Sequence, residues 1–350
     1  MSPIRRHPEE RDIRPRPNPR GSRPRSKRRP GHADAERAMV IGVDRGRYTV
    51  LVAPDTPDER LVIGVKARGL GLDRLVCGDL VDLVGDTSGE RGTLGRIVRV
   101  ADRITSLRRT ADDTDPVERV IVANADQLVV VTALADPEPR IRMIDRCVVA
   151  AYDAGMDVLL CLTKADLGDP TELRETYAPL GVEVAVTSLS VPDDGAGPPV
   201  VQGVDRVRHN LAGRMSVLIG HSGVGKSTLV NALVPDAHRA IGGVNVVTRR
   251  GRHTSSSAVA LRLPERDGWV IDTPGVRSFG LAHVRPESLL GAFPDLAEVA
   301  AERCPRGCTH LADAPDCALD EWVAEVPDEG AARAARLDSM RRLLTARVGD

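Results

Sequence analysis

Aromatic residues are nearly missing from this chain: two Phe, two Trp and three Tyr among 350 residues. With 41% of residues hydrophobic, Val, Leu, Ile and Ala must fill any core, and a surface that binds nucleic acid mainly by base stacking is disfavoured. No run of about 18 apolar residues occurs, so no membrane span is expected. The N-terminal stretch has no apolar segment of a secretory signal and is too rich in Pro for the amphipathic helix of a transit peptide. Cysteine is scarce: Cys77, Cys147 and Cys161 are scattered among apolar neighbours, while Cys304, Cys308 and Cys317 crowd together. That pattern is no disulfide framework; it points to a reduced compartment, with the cytoplasm as the expected address, and to one metal site. No internal repeat is visible.

Net charge is also close to absent, at -1, but it is unevenly spread. Residues 1–30 hold eleven Arg or Lys against three acids, a surplus of +8 that leaves the remainder at -9. This stretch and the residues up to 38, with Arg-Pro repeats, cannot bury a core and are expected to be a disordered basic arm. Such an arm either gathers polyphosphate such as RNA or is merely a solubilising tail. From 39 to 110, short alternating segments at Met39–Val43, Tyr48–Ala53, Arg60–Val65, Asp79–Val84 and Gly92–Val100 predict a five-stranded barrel, with an OB-fold the leading choice. Barrels of this kind bind RNA or serve as scaffolds, and the pattern alone leaves both open. An α/β domain over 111–285 comes next, with buried strands at Gln127–Leu134, Val158–Leu162, Val182–Val186 and Met215–Ile219, a helix at Ile141–Ala154 and a Pro/Gly/Asp link at Val191–Val200. The remainder, 286–350, reads as a helical tail ending in a helix at Glu329–Ala346.

Gly220-His221-Ser222-Gly223-Val224-Gly225-Lys226-Ser227 fits the P-loop pattern, with an apolar strand before it and a helix from Ser227 after it. Glycines let successive backbone N–H groups turn inward around phosphates, and the helix start, including Thr228, reinforces them. Lys226 supplies charge to the β- and γ-phosphates, and the Ser227 hydroxyl can ligate Mg²⁺. Asp272-Thr273-Pro274-Gly275 stands 46 residues beyond Lys226, after the strand Trp269–Ile271. There Asp272 can hold Mg²⁺ through water and the Gly275 N–H can sense the γ-phosphate. Between them, Arg249–Ser257 reads as a switch loop, with Thr254 chosen for the Mg²⁺ and γ-phosphate contact; Ser255 and Ser256 can do the same. Guanine selection needs an acceptor pair for the ring N1–H and the exocyclic amine. Thr163-Lys164-Ala165-Asp166 fits, with Asp166 reading the base and Lys164 covering it; Thr187-Ser188 can contact O6 through the backbone. These base residues precede the phosphate loop, whereas ordinary GTPases place them after it.

This order, a barrel first and a Cys/His cluster last, resembles the RsgA family of small-ribosomal-subunit biogenesis GTPases. The likeness covers about residues 39–345. It includes Gly78-Asp79, Ala123-Asn124-Ala125-Asp126-Gln127, Gly251-Arg252-His253-Thr254, and Asp272-Thr273-Pro274-Gly275 with Val276-Arg277-Ser278-Phe279-Gly280. The resemblance implies an N-terminal OB-fold barrel, a central circularly permuted P-loop GTPase domain and a C-terminal helical zinc-binding domain. It further implies late maturation of the 30S subunit, contact with 16S rRNA, hydrolysis of GTP to GDP stimulated by that particle, and release on hydrolysis. Three departures stand out. Thr163 replaces the usual Asn and removes an amide that ties neighbouring loops, so weaker nucleotide affinity is expected. His221 stands where Gln is common, and Thr254 is followed by three serines rather than a Thr run.

Many GTPases orient the attacking water with a Gln after Gly275, but here Val276 cannot, so intrinsic turnover is expected to be slow until a partner completes the site. His221 and His253 are the candidates to position that water; as lone histidines they are more readily read as exposed loop residues. Cys304, Cys308, His310 and Cys317 offer three thiolates and one imidazole within 14 residues, the set that holds structural Zn²⁺ with no open position. A monomer is the default assembly. Two other readings stay open: a P-loop ATPase or kinase with a zinc element, and an RNA-binding protein whose nucleotide site is vestigial.

Overall fold

Alternation of apolar residues between 36 and 100 gives five strands: β1 (Glu36–Asp44), β2 (Arg47–Val52), β3 (Arg60–Lys66), β4 (Leu80–Gly85) and β5 (Gly95–Val100). The structure, a computed structural model, describes residues 32–44, 46–70, 74–110, 117–190, 200–235, 237, 258–273, 280–281, 283–326 and 328–348. Two units divide the chain after Asp34, and every helix and strand among the described residues belongs to Ala35–Asp350. β1 pairs with β2, β2 with β3, β3 with β5 in parallel, β5 with β4, and β4 again with β1, which closes an OB-fold barrel. Its interior is aliphatic: Val40, Val50, Val62, Val81, Leu83 and Ile97 are fully buried. β1 starts at Glu36, inside the stretch read as basic arm, because Glu36 and Arg37 pair with Leu83 and Asp82 and the Arg37 guanidinium donates to Asp82 at 2.6 Å. Residues 1–31 of that arm lie outside the described residues.

The barrel is joined to the central domain by residues that stand out in the sequence but carry no nucleotide chemistry. Gly78 has φ +89, and a Cβ there would lie 1.8 Å from the Ala123 carbonyl oxygen, so only glycine fits. Asp79 is wholly buried and accepts from Arg103 Nε at 2.7 Å and Nη2 at 2.9 Å and from the Val76 N–H at 2.8 Å. Three charge-assisted bonds offset the cost of burying that carboxylate. Asn124 donates to the Gly78 carbonyl at 2.9 Å and accepts the Ile104 N–H at 2.8 Å. Asp126 accepts the Met215 N–H at 2.7 Å. The hairpin β6 (Ser106–Arg109) and β7 (Arg119–Ala123) straddles the expected boundary at 110/111.

Next come β8 (Gln127–Ala133), α1 (Ile141–Asp153), β9 (Asp157–Thr163), α2 (Thr171–Tyr177), β10 (Glu183–Val186), a small hairpin of β11 (Ser188–Ser190) and β12 (Val200–Gln202), α3 (Val204–Leu211), β13 (Met215–Gly220), α4 (Lys226–Leu233), β14 (Val259–Arg262) and β15 (Trp269–Asp272). The sheet runs β10-β9-β8-β13-β15-β14, all parallel except β14. Every residue of β8 is buried, as a parallel strand covered on both faces requires. Because β8 lies between β9 and β13, strands that are distant in sequence end at the same edge of the sheet. β14 also pairs with β1 at Gly42 and Val259, so barrel and central sheet are continuous. Beside that pairing, Arg262 reaches Glu59 at 2.8 Å and stacks over Trp269, 4.5 Å from the ring centroid.

Among the described residues, four helices follow: α5 (Pro286–Gly291), α6 (Pro294–Arg303), α7 (Ala318–Ala324) and α8 (Gly330–Val348). α8 packs on α1 through Leu337, Met340, Leu343 and Leu344. At that seam the buried Asp145 accepts from Tyr177 Oη at 2.9 Å and Arg342 Nε at 3.2 Å; burial raises its pKa, and the Arg342 charge opposes this. No helix among the described residues is long and apolar enough to cross a membrane.

Candidate functional site

A cleft of about 680 Å³ opens at the carboxyl edge of the sheet, where ligands of open parallel sheets bind. Its walls come from two separate stretches of chain. Thr163, Lys164, Thr187, Ser188 and Leu189 form one side with Val201; His221, Ser222, Gly223, Gly225, Lys226, Ser227, Thr228, Leu229, Asp272 and Thr273 form the other. Thr163, Lys164, Thr187 and Ser188, chosen for base recognition, therefore share one space with the residues chosen for phosphate binding, whereas Ala165 and Asp166 are not among the residues that line it. Thr254, His253 and Gly275 lie outside the described residues, as does Val276.

The phosphate side takes the expected strand–loop–helix course: β13 ends at Gly220 and α4 begins at Lys226. Gly225 takes φ +87 to turn the chain into the helix, a conformation that a side chain would strain. The Lys226 ammonium is mostly buried and donates to the Asp272 carboxylate and to the Thr273 carbonyl at 2.6 Å. Thr273 is itself fixed by its hydroxyl on the Leu218 carbonyl at 2.7 Å. The strand pairing of β13 with β15 puts Leu218 opposite Asp272, which is why a residue 46 positions away reaches Lys226.

On the base side, Lys164 has φ +57, a left-handed turn that a non-glycine residue adopts at some cost. Its ammonium donates to the Asp136 carbonyl, and the Ala165 N–H donates to the Thr187 carbonyl at 3.1 Å. Asp166 is exposed, and its Oδ1 accepts at 3.2 Å the N–H of Leu189, which lines the cleft. Thr163 closes the gap between the two halves: its buried hydroxyl donates to the Val224 carbonyl in the phosphate loop at 2.5 Å. The tie that an Asn amide would make is made here by a hydroxyl. Replacing Thr163 by Val keeps the shape and leaves the Val224 carbonyl without this donor, at a cost of about 1–2 kcal/mol. A drop of roughly tenfold in nucleotide affinity is expected by titration; unchanged affinity would show that the tie is irrelevant.

His221 sits at the phosphate end of the cleft, with Arg140 Nη1 donating to its Nε2 at 3.0 Å. Partial burial, then the Arg140 charge, hold its pKa below the ordinary value, so the ring is neutral at neutral pH. With Nε2 accepting, the remaining ring proton is on Nδ1, which can only donate. Sequence reasoning missed Arg140, because nothing in the loop ahead of α1 signals proximity to a residue 81 positions later. It missed Leu189 and Val201 for the same reason.

Away from the cleft, Cys304, Cys308, His310 and Cys317 bring their ligand atoms within 4.8 Å of one another. His310 Nδ1 lies 3.7 Å from Cys304 Sγ and 3.8 Å from Cys317 Sγ. Bond lengths of tetrahedral Zn²⁺ to sulfur and imidazole require ligand separations of about 3.5–3.8 Å, which these fit. Burial pushes the Cys317 thiol up to about 11, with the neighbouring thiols adding to the shift. Arg341 donates to the His310 carbonyl at 3.0 Å and forks onto Asp320 at 2.8 Å, fastening the cluster to α8.

Comparison with known proteins adds relatives to this geometry. The family model described as RsgA GTPase matches residues 100–282. The small ribosomal subunit biogenesis GTPase RsgA of Pseudomonas syringae pv. tomato is 35% identical over 279 residues, 78% of this chain and 75% of that protein. Its namesake in Chlorobaculum tepidum is 34% identical over 292 residues, 81% of this chain and 89% of that protein. Among solved structures, YjeQ from Thermotoga maritima superposes with a TM-score of 0.61 at 24% identity, covering 90% of this chain and 99% of that one. YloQ, described as a circularly permuted GTPase, gives 0.60 at 24% identity, covering 91% and 97%. At that identity the two structures speak for the fold alone.

Proposed function

Since the chain belongs to the RsgA GTPase family and so hydrolyses GTP, we propose that it does so on the small ribosomal subunit, in late 30S maturation, binding 16S rRNA and leaving when GTP is spent. The observation that carries this reading is the single cleft walled by Thr163, Lys164, Thr187 and Ser188 on one side and the loop 220–228 on the other. Beside it Asp166 reads guanine, the Lys164 stem covers the ring, and Ala165 holds the turn between them. The Thr187 N–H is taken by the Leu162 carbonyl at 2.8 Å, which moves the O6 contact to Ser188. The backbone from Gly220 through Ser222, Gly223, Val224 and Gly225 to Thr228 wraps the phosphates. Lys226 neutralises the β- and γ-oxygens, which is most of what phosphoryl transfer asks of a protein.

Mg²⁺ arriving with GTP supplies charge neutralisation at the β,γ-oxygens, and Ser227, Thr254 and Asp272 are the residues to hold it. The Gly275 N–H senses the γ-phosphate. His221 as arranged offers a hydrogen bond rather than accepting a proton from water, so it serves a phosphoryl oxygen, and His253 remains the candidate to position the water. In the same reading the chain divides into a basic arm (1–38), an RNA-binding barrel (39–110), the permuted GTPase domain (111–285) and the zinc-binding helical domain (286–350). The protein acts as a monomer in the cytoplasm.

The test is GTP turnover with and without purified 30S particles. Slow turnover alone and acceleration of about tenfold or more with particles are expected, as for a GTPase whose partner completes the site. Equal hydrolysis of ATP, or no response to the particle, would overturn the reading.

The donor set of Cys304, Cys308, His310 and Cys317 is read as one structural Zn²⁺ site. Changing Cys308 to Ser is expected to abolish stoichiometric zinc, because structural zinc supplies folding free energy directly. Backbone amides over 304–326 would then exchange quickly in hydrogen-exchange measurements while those of β13 stay protected. Full protection of 304–326 without metal would refute the assignment.

A further inference from the structure

His221 lies between two hollows. Behind the phosphate loop is a recess of about 70 Å³, and His221 and Ser222 line both it and the nucleotide cleft. Glu138 and Arg140 line the recess but not the cleft. The imidazole is thus the link between the Arg140 guanidinium, which donates to its Nε2 at 3.0 Å, and whatever occupies the phosphate end.

The backbone that carries Arg140 is fixed on both sides. Ahead of it, Leu134 donates its N–H to the Thr163 carbonyl at 2.9 Å, and the Asp136 carbonyl accepts from Lys164. Pro137 lies beside the phosphate loop, its Cδ 3.6 Å from where a Cβ on Gly223 would stand. Behind it, the Arg140 carbonyl accepts the Ile144 N–H at 3.1 Å and so opens α1. Among the described residues His221 is the hydrogen-bond partner of this guanidinium, and no ion pair draws it elsewhere.

A neutral imidazole has one proton for two nitrogens, and the hydrogen bond at one nitrogen decides where the proton sits. A guanidinium can only donate, so the nitrogen that faces it must be the bare one. Other charges line the two hollows: Glu138 on the recess side, and Lys164, Lys226 and Asp272 in the cleft. Arg140 is the one whose charge acts on the ring, adding to partial burial in keeping it neutral. Without Arg140 either nitrogen can carry the proton, and one of the two forms turns a lone pair toward the phosphate.

We infer that Arg140 is a positioning residue for hydrolysis: it fixes the His221 proton on Nδ1, so that the ring meets a phosphoryl oxygen as a donor. This rests on the reading that His221 serves such an oxygen. Arg140 acts through the ring and makes no contact of its own with the nucleotide.

The experiment uses the full chain with Arg140→Ala, Arg140→Lys, His221→Ala, and Arg140→Ala combined with His221→Ala. Nitrogen NMR of the His221 ring at pH 8 should show the Nδ1–H form in the unmodified chain and a mixture in Arg140→Ala. Single-turnover GTP hydrolysis by Arg140→Ala at pH 8 is expected to fall about tenfold, with the Kd for GDP within about twofold, as for a contact that matters in the transition state. Lowering the pH through about 6.5 should restore that variant's rate, because imidazolium donates from both nitrogens whatever its neighbour. Arg140→Lys, another pure donor, should recover the rate at pH 8. In the His221→Ala background Arg140→Ala should cost nothing more. An unchanged tautomer in Arg140→Ala overturns the inference, as does a slowed variant that gains nothing at low pH. A further drop in the double variant overturns it too, since the guanidinium would then act on the phosphate directly. If the tautomer shifts while neither Arg140→Ala nor His221→Ala slows turnover, the phosphate contact of His221 is what fails, and the positioning role falls with it.

Discussion

Lys226→Ala is expected to lower the single-turnover rate of GTP hydrolysis by about a thousandfold, the scale of removing a preorganised transition-state charge from a partly desolvated site. Lys226 is mostly buried, and its ammonium rests on the Asp272 carboxylate and the Thr273 carbonyl. Phosphate arriving in the cleft competes with those acceptors for the same three protons, so the cation is already placed and little reorganisation is left for the chemical step. Removal does two kinds of harm. The γ-phosphate loses its cation, and Asp272 is left as a bare carboxylate facing a polyanion. Lys226→Arg is expected to recover little, because a planar fork cannot occupy the place of a compact ammonium. Lys226→Ala with Asp272→Asn should bind GDP better than Lys226→Ala alone, since the second change removes the repulsion. A single-turnover rate within about tenfold of the unmodified chain would show that Lys226 is not the charge the reaction uses.

What the sequence discloses about this site is chiefly what is local. The run 220–228 announces its own strand, loop and helix, and β13 and α4 begin and end within a residue of where periodicity and the glycines put them. The barrel strands are similarly legible, since each is a short apolar stretch set off by Gly, Asp or Pro turns. β14 is not: four residues, Val259–Arg262, come after a polar stretch and carry no alternation long enough to see. Its role depends on pairings with β15 and with Gly42 of β1, which are properties of topology. Thr163 shows the same limit in one residue. By residue type alone, its replacement of Asn looks like a lost tie between loops. The hydroxyl makes the contact to Val224 because the backbone of the two loops is close enough for a shorter side chain. Asp79 and Asn124 show the converse: residues conspicuous in the sequence turn out to hold the barrel to the next strands, with no part in the cleft. The zinc ligands were legible because their chemistry is crowded into 14 positions. Arg140, Leu189 and Val201 were not, because each gains meaning only from a partner brought in by the sheet.

Asp166→Asn should invert the base preference, turning a guanine site into a xanthine site. Guanine presents two donors on one edge, N1–H and the exocyclic amine, and an ionised carboxylate offers two acceptors to match. Xanthine keeps N1–H but has a carbonyl in place of the amine, so it needs one acceptor and one donor. The structure says which way an Asn amide would face. Oδ1 of Asp166 accepts the Leu189 N–H at 3.2 Å, and an N–H can be met only by the oxygen of an amide. Asn at this position is therefore held with its oxygen toward Leu189 and N1–H, and with its NH₂ toward the place where xanthine has its second carbonyl. Guanine in that variant would face NH₂ against NH₂ with no partner for either. A site built on hydrogen bonds rejects a mismatched partner by about 10⁴ in favourable cases, but Asp166 is exposed, and water partly satisfies the loose groups. The expected loss of kcat/KM for GTP is accordingly about a hundredfold, with a gain of similar size for xanthosine triphosphate. Inosine triphosphate, lacking the amine, should change least between the two proteins. Steady-state turnover with the three nucleotides measures all of this at once. Retention of GTP preference by the Asn variant would mean that the carboxylate beside Leu189 does not meet the base, and guanine selectivity would have to come from the backbone at Ser188.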